Sequence, residues 1–273
     1  MSKRNSQTAK TAARERLREE RERQAKRDKA KRQIIVAGSV VAVLAAAGGI
    51  GYAVVQAGKP GYWDGLKDAS SVVTPANTTG TKGTTVVIGK DTAKKTLKVY
   101  EDPRCPVCAQ FEQTVGATVK KDIDGGKYKV QFVGATFLDG HDNGVGSKNA
   151  LSALGAALNV SPEAFLEYKG ALYSAKFHPD EQTDKFKSDA YLIKVADTVP
   201  ALKNNAKFQN AVKKGTYDAW AMAMSKTFDT NKDGVTGTPS FVMDGKKLTA
   251  DSQGTPPMTV ADYNRVLDAA LKG

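Results

Sequence analysis

Cys105 and Cys108 are the only cysteines in the chain, and the residues around them restrict the fold more than any other feature. Upstream, TLKVY (Thr96–Tyr100) alternates apolar and polar residues, as a half-buried strand does. Downstream, Pro106 suits the first position of a helix, where its missing N–H leaves nothing unpaired. Val107, Phe111, Val115 and Val119 then recur every four residues, which predicts one apolar helix face. A Cys-x-x-Cys pair between a strand and a helix predicts a sulfur at a helix N-terminus. Unpaired N–H groups and the helix dipole there favour a negative charge. Cys105 is therefore read as the exposed, attacking thiolate, and Cys108, one turn into the helix, as the shielded resolving sulfur. Arg104 and Pro106 flank Cys105 as the residues expected to support its thiolate. An inert disulfide is the competing reading, but a bridge closing so short a loop constrains little unfolded-chain entropy.

Two cysteines are too few for a disulfide framework. A zinc site needs further ligands, and the only histidines, His141 and His178, are not spaced as a ligand pair. No metal and no cofactor are expected.

The formal net charge is +12, which on its face points to nucleic acid or an anionic membrane. Its distribution excludes the first. Residues 1–32 alone carry +8, and residues 58–273 carry the remaining +4, ordinary for a soluble domain. The basic arm brings no aromatic or recognisable DNA-binding motif, so it reads as a solvated arm attracted to anionic lipid.

Ile34 to Val55 form an uncharged run of 22 residues. A helix needs roughly 20 apolar residues to cross a bilayer. The run exceeds the apolar core of about 7–15 residues found in cleaved signal peptides, so it is read as an uncleaved anchor, although Ala45 and Ala47 leave an A-x-A cleavage pattern open. Absence of a following cysteine excludes a lipoprotein. Lysines and arginines ahead of the run place the N-terminus in the cytoplasm and everything after Val55 outside it. The expected organisation is a basic cytoplasmic arm (1–33), a transmembrane anchor (34–55), a flexible linker (56–82) with a short ordered piece about Tyr62 and Trp63, and a folded domain (83–273).

Within that domain, Thr84–Gly89 and Tyr128–Leu138 read as further strands. Residues 147–226 read as an inserted block of about four helices, broken by Pro162, Pro179 and Pro200. Ser240–Met243 and Lys246–Leu248 flank Asp244-Gly245, a hairpin signal, and Thr259–Leu271 closes as an amphipathic helix. The expected fold class is α/β with a helical insertion.

EDPRCPVCAQFE, together with VTGTPSFVMDGK some 130 residues later, resembles the DsbA-like family of thioredoxin-fold thiol–disulfide oxidoreductases. The resemblance covers roughly residues 83–273 and implies that Thr238-Pro239 carries the cis-proline of that fold, beside the cysteines, where the residue before the proline pairs with extended substrate chain. It further implies exported, cysteine-containing proteins as substrates and a membrane quinone-linked reoxidant of the DsbB or VKOR kind. Two departures stand out. The residues between the cysteines are Pro-Val rather than Pro-His, which points to a pair that oxidises less strongly than the Pro-His enzymes. Val99 stands six before Cys105, where many relatives place a buried acid that assists proton transfer, and Glu101 and Asp102 are the nearest substitutes.

Asp229 to Gly234 (DTNKDG) matches half of a calcium loop, but Ser240 replaces the glutamate at its twelfth position, so it reads as a polar turn. Trp63 and Trp220 read as packing residues. Three functions stay open: an oxidase for exported proteins; a reductase or isomerase in the same place, for example in cytochrome maturation; and a non-catalytic thioredoxin-fold binding module. Mutation separates chemistry from scaffolding. Cys108→Ser is expected to accumulate mixed disulfides through Cys105, visible on non-reducing gels, whereas Cys105→Ser is expected to trap none. Trapping through Cys108 instead would invert the two roles.

Overall fold

The computed structural model describes residues 61–141, 144–180 and 182–272. The arm and the apolar run Ile34–Val55 lie outside these residues; among the described ones no helix is long and apolar enough to cross a membrane.

Five strands form one sheet in the order β1-β3-β2-β4-β5. They are β1 (Val86–Ile88), β2 (Thr96–Glu101), β3 (Lys129–Gly134), β4 (Ser240–Met243) and β5 (Lys246–Lys247). β2 and β3 are parallel, with Thr96 opposite Lys129 and Glu101 opposite Gly134, and the remaining pairs are antiparallel. Between β2 and β3 runs α2 (Pro106–Gly125), which supplies the crossover that a parallel pair requires. Gly126 ends it in the left-handed conformation at φ 76°. The β4–β5 turn is Asp244-Gly245, with φ 51° and 74°, as the hairpin signal predicts.

The strands sort their side chains by the two-residue period. Leu97, Val99, Val130, Phe132, Phe241 and Met243 join the main core with α2 and the closing helix α9 (Val260–Lys272). There Phe111 lies 4.4 Å from Phe241 and 5.9 Å from Tyr263, centroid to centroid. Tyr100, Val133 and Val242 face the other way, onto Phe228 and Val235. The Tyr128–Leu138 run is strand only to Gly134, after which a short helix α3 (Leu138–His141) follows.

The inserted block holds five α-helices rather than about four: α4 (Gly146–Val160), α5 (Pro162–Tyr173), α6 (Asp189–Ala196), α7 (Ala206–Lys213) and α8 (Asp218–Asp229). The extra break falls at Gly215, whose φ of 59° lies in the left-handed region and cannot continue a helix. Pro162 opens α5 at its first turn, with the Ser161 side chain accepting from Ala164 N at 3.0 Å.

The segment expected to be linker up to residue 82 is packed on this block from Gly61 onward. It contains α1 (Tyr62–Leu66). Tyr62 donates its hydroxyl to Asp218 at 2.8 Å, Asn77 Nδ2 donates to Leu158 O at 2.9 Å, and Asp68 pairs with Lys226 at 3.0 Å. Buried Trp220 donates Nε1 to Gly83 O at 2.8 Å. Polar composition suggested a linker here; side-chain and carbonyl hydrogen bonds to distant helices, which composition does not encode, hold it in place.

Packing of α4 on α8 is tight at Gly155, where an added Cβ would lie 2.8 Å from the Trp220 ring. Gly155→Ala is expected to lower stability by about 1–3 kcal/mol, the range for overpacking. Gly125→Ala, where nothing lies within 4 Å, is expected to be neutral or to stabilise by up to about 1 kcal/mol. Urea denaturation of both variants checks the pair.

Candidate active site

α2 begins at the sulfur. Cys105 is its N-cap, and the sulfur accepts a hydrogen bond from Cys108 N at 3.3 Å, in the place a serine or aspartate oxygen usually takes. The Thr238–Pro239 peptide bond is cis, and it brings Thr238 O to 3.5 Å from Cys105 Sγ, so the thiol donates to that carbonyl. The two sulfurs are not bonded to each other in this structure.

The two sulfurs differ sharply. A hydrogen bond from the Cys108 thiol, outweighing burial, and further help from Thr238 and the helix N–H groups lower the Cys105 thiol to about 7. Burial, then the neighbouring Cys105 sulfur and the Glu101 carboxylate, push Cys108 well above its ordinary value. Thr238 Oγ1 is buried, has no hydrogen-bond partner at full bonding geometry, and favours the Cys105 thiolate.

Cys105 is less open than expected, at 5% exposure. It packs in a small cluster with Cys108, Ala109, Tyr173 and Leu138, so the β3–α4 connection and α5 cover it, contacts that local spacing does not reveal. Val107, read as the start of the apolar helix face, is instead 42% exposed beside it. A four-residue spacing drifts around the helix, and the first turn lies past the edge of the core. Alongside the cis-proline, residues 236–241, 247–249, Gly254 and Pro256 line an open groove of about 350 Å³.

Arg104, next to Cys105, is bound to two acids of neighbouring segments. Its side chain is buried; Nη1 lies 3.2 Å from Asp139 and Nε 3.7 Å from Asp184. The turn before the N-cap aims it into the helical block, where it ties the loop down. Pro106 does open the helix. Asp102, fully buried, is the hub of that loop: its carboxylate accepts from Arg104 N (3.0 Å), Ser147 Oγ (2.6 Å) and Leu138 N (3.2 Å). Its carbonyl accepts from Cys105 N at 2.9 Å and from the Tyr173 hydroxyl at 3.0 Å. These bonds occupy Asp102 structurally.

Glu101 is the buried acid whose charge bears on Cys108. Burial raises its carboxyl to about 7, with Lys169 opposing the rise. Lys169 Nζ lies 3.4 Å from Glu101 and 2.6 Å from Glu112. Burial works against its charge, but the two carboxylates hold it above its ordinary value. Sequence reading missed Lys169, although a signal was present. Phe165, Tyr168, Lys169, Leu172 and Tyr173 share one helix face, and all are buried, so a lysine stands inside the apolar stripe of α5.

Two other expectations concern the periphery. In the calcium-like turn, Asp233 takes Lys98 at 2.8 Å and the Tyr100 hydroxyl, while Asn231 Oδ1 accepts from Asp233 N and Val235 N. Its acid is thus held by a strand lysine, and no cluster of metal-ligating side chains occurs among the described residues. His178 lies between the rings of Tyr173 and Phe186, at 5.8 and 6.0 Å.

The family profile described as Thioredoxin matches residues 81–269. The serine/threonine-protein kinase PknE of Mycobacterium tuberculosis is 25% identical over 172 residues, 60% of this chain; the chain spans only 29% of that kinase's length. Disulfide bond formation protein D of Bacillus subtilis is 26% identical over 192 residues, covering 68% of this chain and 77% of that one. Reduced DsbA from Mycobacterium tuberculosis superposes with a TM-score of 0.54 at 23% identity, covering 70% of this chain and 98% of that one, a likeness of fold.

Removing Lys169 gives a pH test of the buried cluster. Lys169→Met leaves Glu101 and Glu112 without their cation and is expected to cost about 3–5 kcal/mol when both are ionised. The folded Glu101 carboxyl then sits further above its unfolded value of 4.5, so the folded state binds the extra proton. Stability should therefore fall as pH rises from about 5 to 8. Urea midpoints of the variant and the parent across that window check the slope; parallel curves would count against it.

The matched profile, the cis-proline beside a Cys-x-x-Cys helix start and the shared fold place this chain in the thioredoxin family, among the DsbA-like thiol–disulfide oxidoreductases.

Proposed function

We propose that the chain oxidises cysteine pairs of exported proteins outside the cytoplasm, held to the membrane by Ile34–Val55 with its basic arm inside. The observation that carries this reading is the split between the sulfurs: Cys105 lowered to about 7, Cys108 raised. Stabilising the Cys105 thiolate favours the reduced pair, which makes the disulfide a better oxidant.

In the forward direction a substrate thiolate attacks Cys105 of the oxidised pair. A substrate–Cys105 disulfide forms, the Cys105–Cys108 bond breaks, and Cys108 leaves. With its high proton affinity it takes up a proton, and Glu101, half protonated near neutral pH, is the adjacent acid to supply it. The second substrate thiolate then attacks the substrate sulfur and expels Cys105 as the stabilised thiolate. Two electrons pass to the enzyme for one disulfide made. Reoxidation returns them to a membrane quinone-linked protein of the DsbB or VKOR kind. The groove beside Thr238 and Pro239 suits an extended substrate segment bound by main-chain pairing, which reads shape more than sequence.

The same observation also favours a second reading. A thiol at about 7 is close to the value of thioredoxin, a reductant. Direction is decided by a redox titration of the full chain against glutathione. The oxidase reading expects a potential between about −120 mV, the value for DsbA, and about −270 mV, the value for thioredoxin. A potential at or below the thioredoxin value would establish the reductase instead.

A further inference from the structure

We infer that α1 is a lipid-contacting element: Tyr62 and Trp63 seat in the headgroup layer of the bilayer. This rests on the proposed anchor, and it adds a surface to it.

Tyr62 is the most exposed large apolar side chain among the described residues, at 64%, and no residue of α1 is buried. The ring is nevertheless fixed. Its hydroxyl is tied to Asp218, and Trp63 stands edge-on to it at 5.5 Å. Helix α1 is thus pinned to α8 through the Tyr62 hydroxyl, with the Tyr62 ring outward and Trp63 half-exposed beside it. Such an arrangement has no use in a soluble core, whereas Trp and Tyr collect where a membrane meets water, with the ring in the apolar edge and the polar tip wet.

Chain length keeps the contact within reach. Only six residue steps separate Val55 from Gly61. Fully extended, they reach about 20–22 Å, which bounds how far α1 can lie from the outer end of the proposed anchor. The headgroup layer itself is several Å deep.

The two tryptophans make the test clean, because Trp220 is 1% exposed and serves as an internal reference. The full chain is reconstituted into vesicles of phosphatidylcholine with one-quarter phosphatidylglycerol, with or without lipids brominated near the top of the acyl chain. Tryptophan emission of the parent and of Trp63→Phe is then compared. The proposal expects bromine to quench the Trp63 contribution at least two-fold and to leave the emission of Trp63→Phe unchanged. Chain that floats with the vesicles but shows equal emission in both lipids would overturn the contact while leaving the anchor in place; this is the result expected if α1 docks on a membrane protein instead. Chain that fails to float would overturn the anchor, and the contact with it.

Discussion

Helix α2 starts on a sulfur atom, and most of the site follows from that. The Cys105 side chain caps the helix by accepting from Cys108 N, so the first turn forms only with the sulfur held against N–H groups that favour its anion. The same turn carries Cys108 inward, where burial keeps it protonated. One covalent spacing thus yields two thiols of opposite character.

Holding that turn requires a second layer of bonds, and the helical insertion supplies it. Asp102 gathers Arg104 N, Ser147 and Leu138 on its carboxylate, and Arg104 reaches Asp139 and Asp184. The loop before the cysteines is therefore clamped to α3 and α4 rather than to the sheet alone. Such buried charge is costly unless fully partnered, and its partners arrive from segments 35 to 80 residues away in sequence. The insertion is part of the active-site support and not a decoration on a thioredoxin sheet.

A similar logic governs the acid. Six residues before Cys105, Val99 packs in the core. Glu101, two residues on and on the same side of the strand, is the buried acid and is kept in register by Lys169 from α5. Lys169 in turn lies 5.4 Å over the Phe132 ring and 5.2 Å over that of Tyr173, contacts that ease the burial of its charge. The cluster couples the proton affinity of the site to the packing of the helical block.

The amino-acid sequence by itself determined the elements that rest on local rules. Period-two strands, Pro106 at a helix start, Asp244-Gly245 in a hairpin and the Cys-x-x-Cys pair at a helix N-terminus depend on neighbours within a few residues, and each is found in the structure. Only the tertiary structure decided the rest. That Arg104 pairs with Asp139 and Asp184, that Lys169 lies buried on Glu101, that Cys105 is largely covered, and that residues 61–82 pack on the insertion all depend on contacts between distant segments. A charged or polar residue carries the same local signal whether it ends in water or against a partner. Which of the two it meets is set by the burial that the whole chain creates.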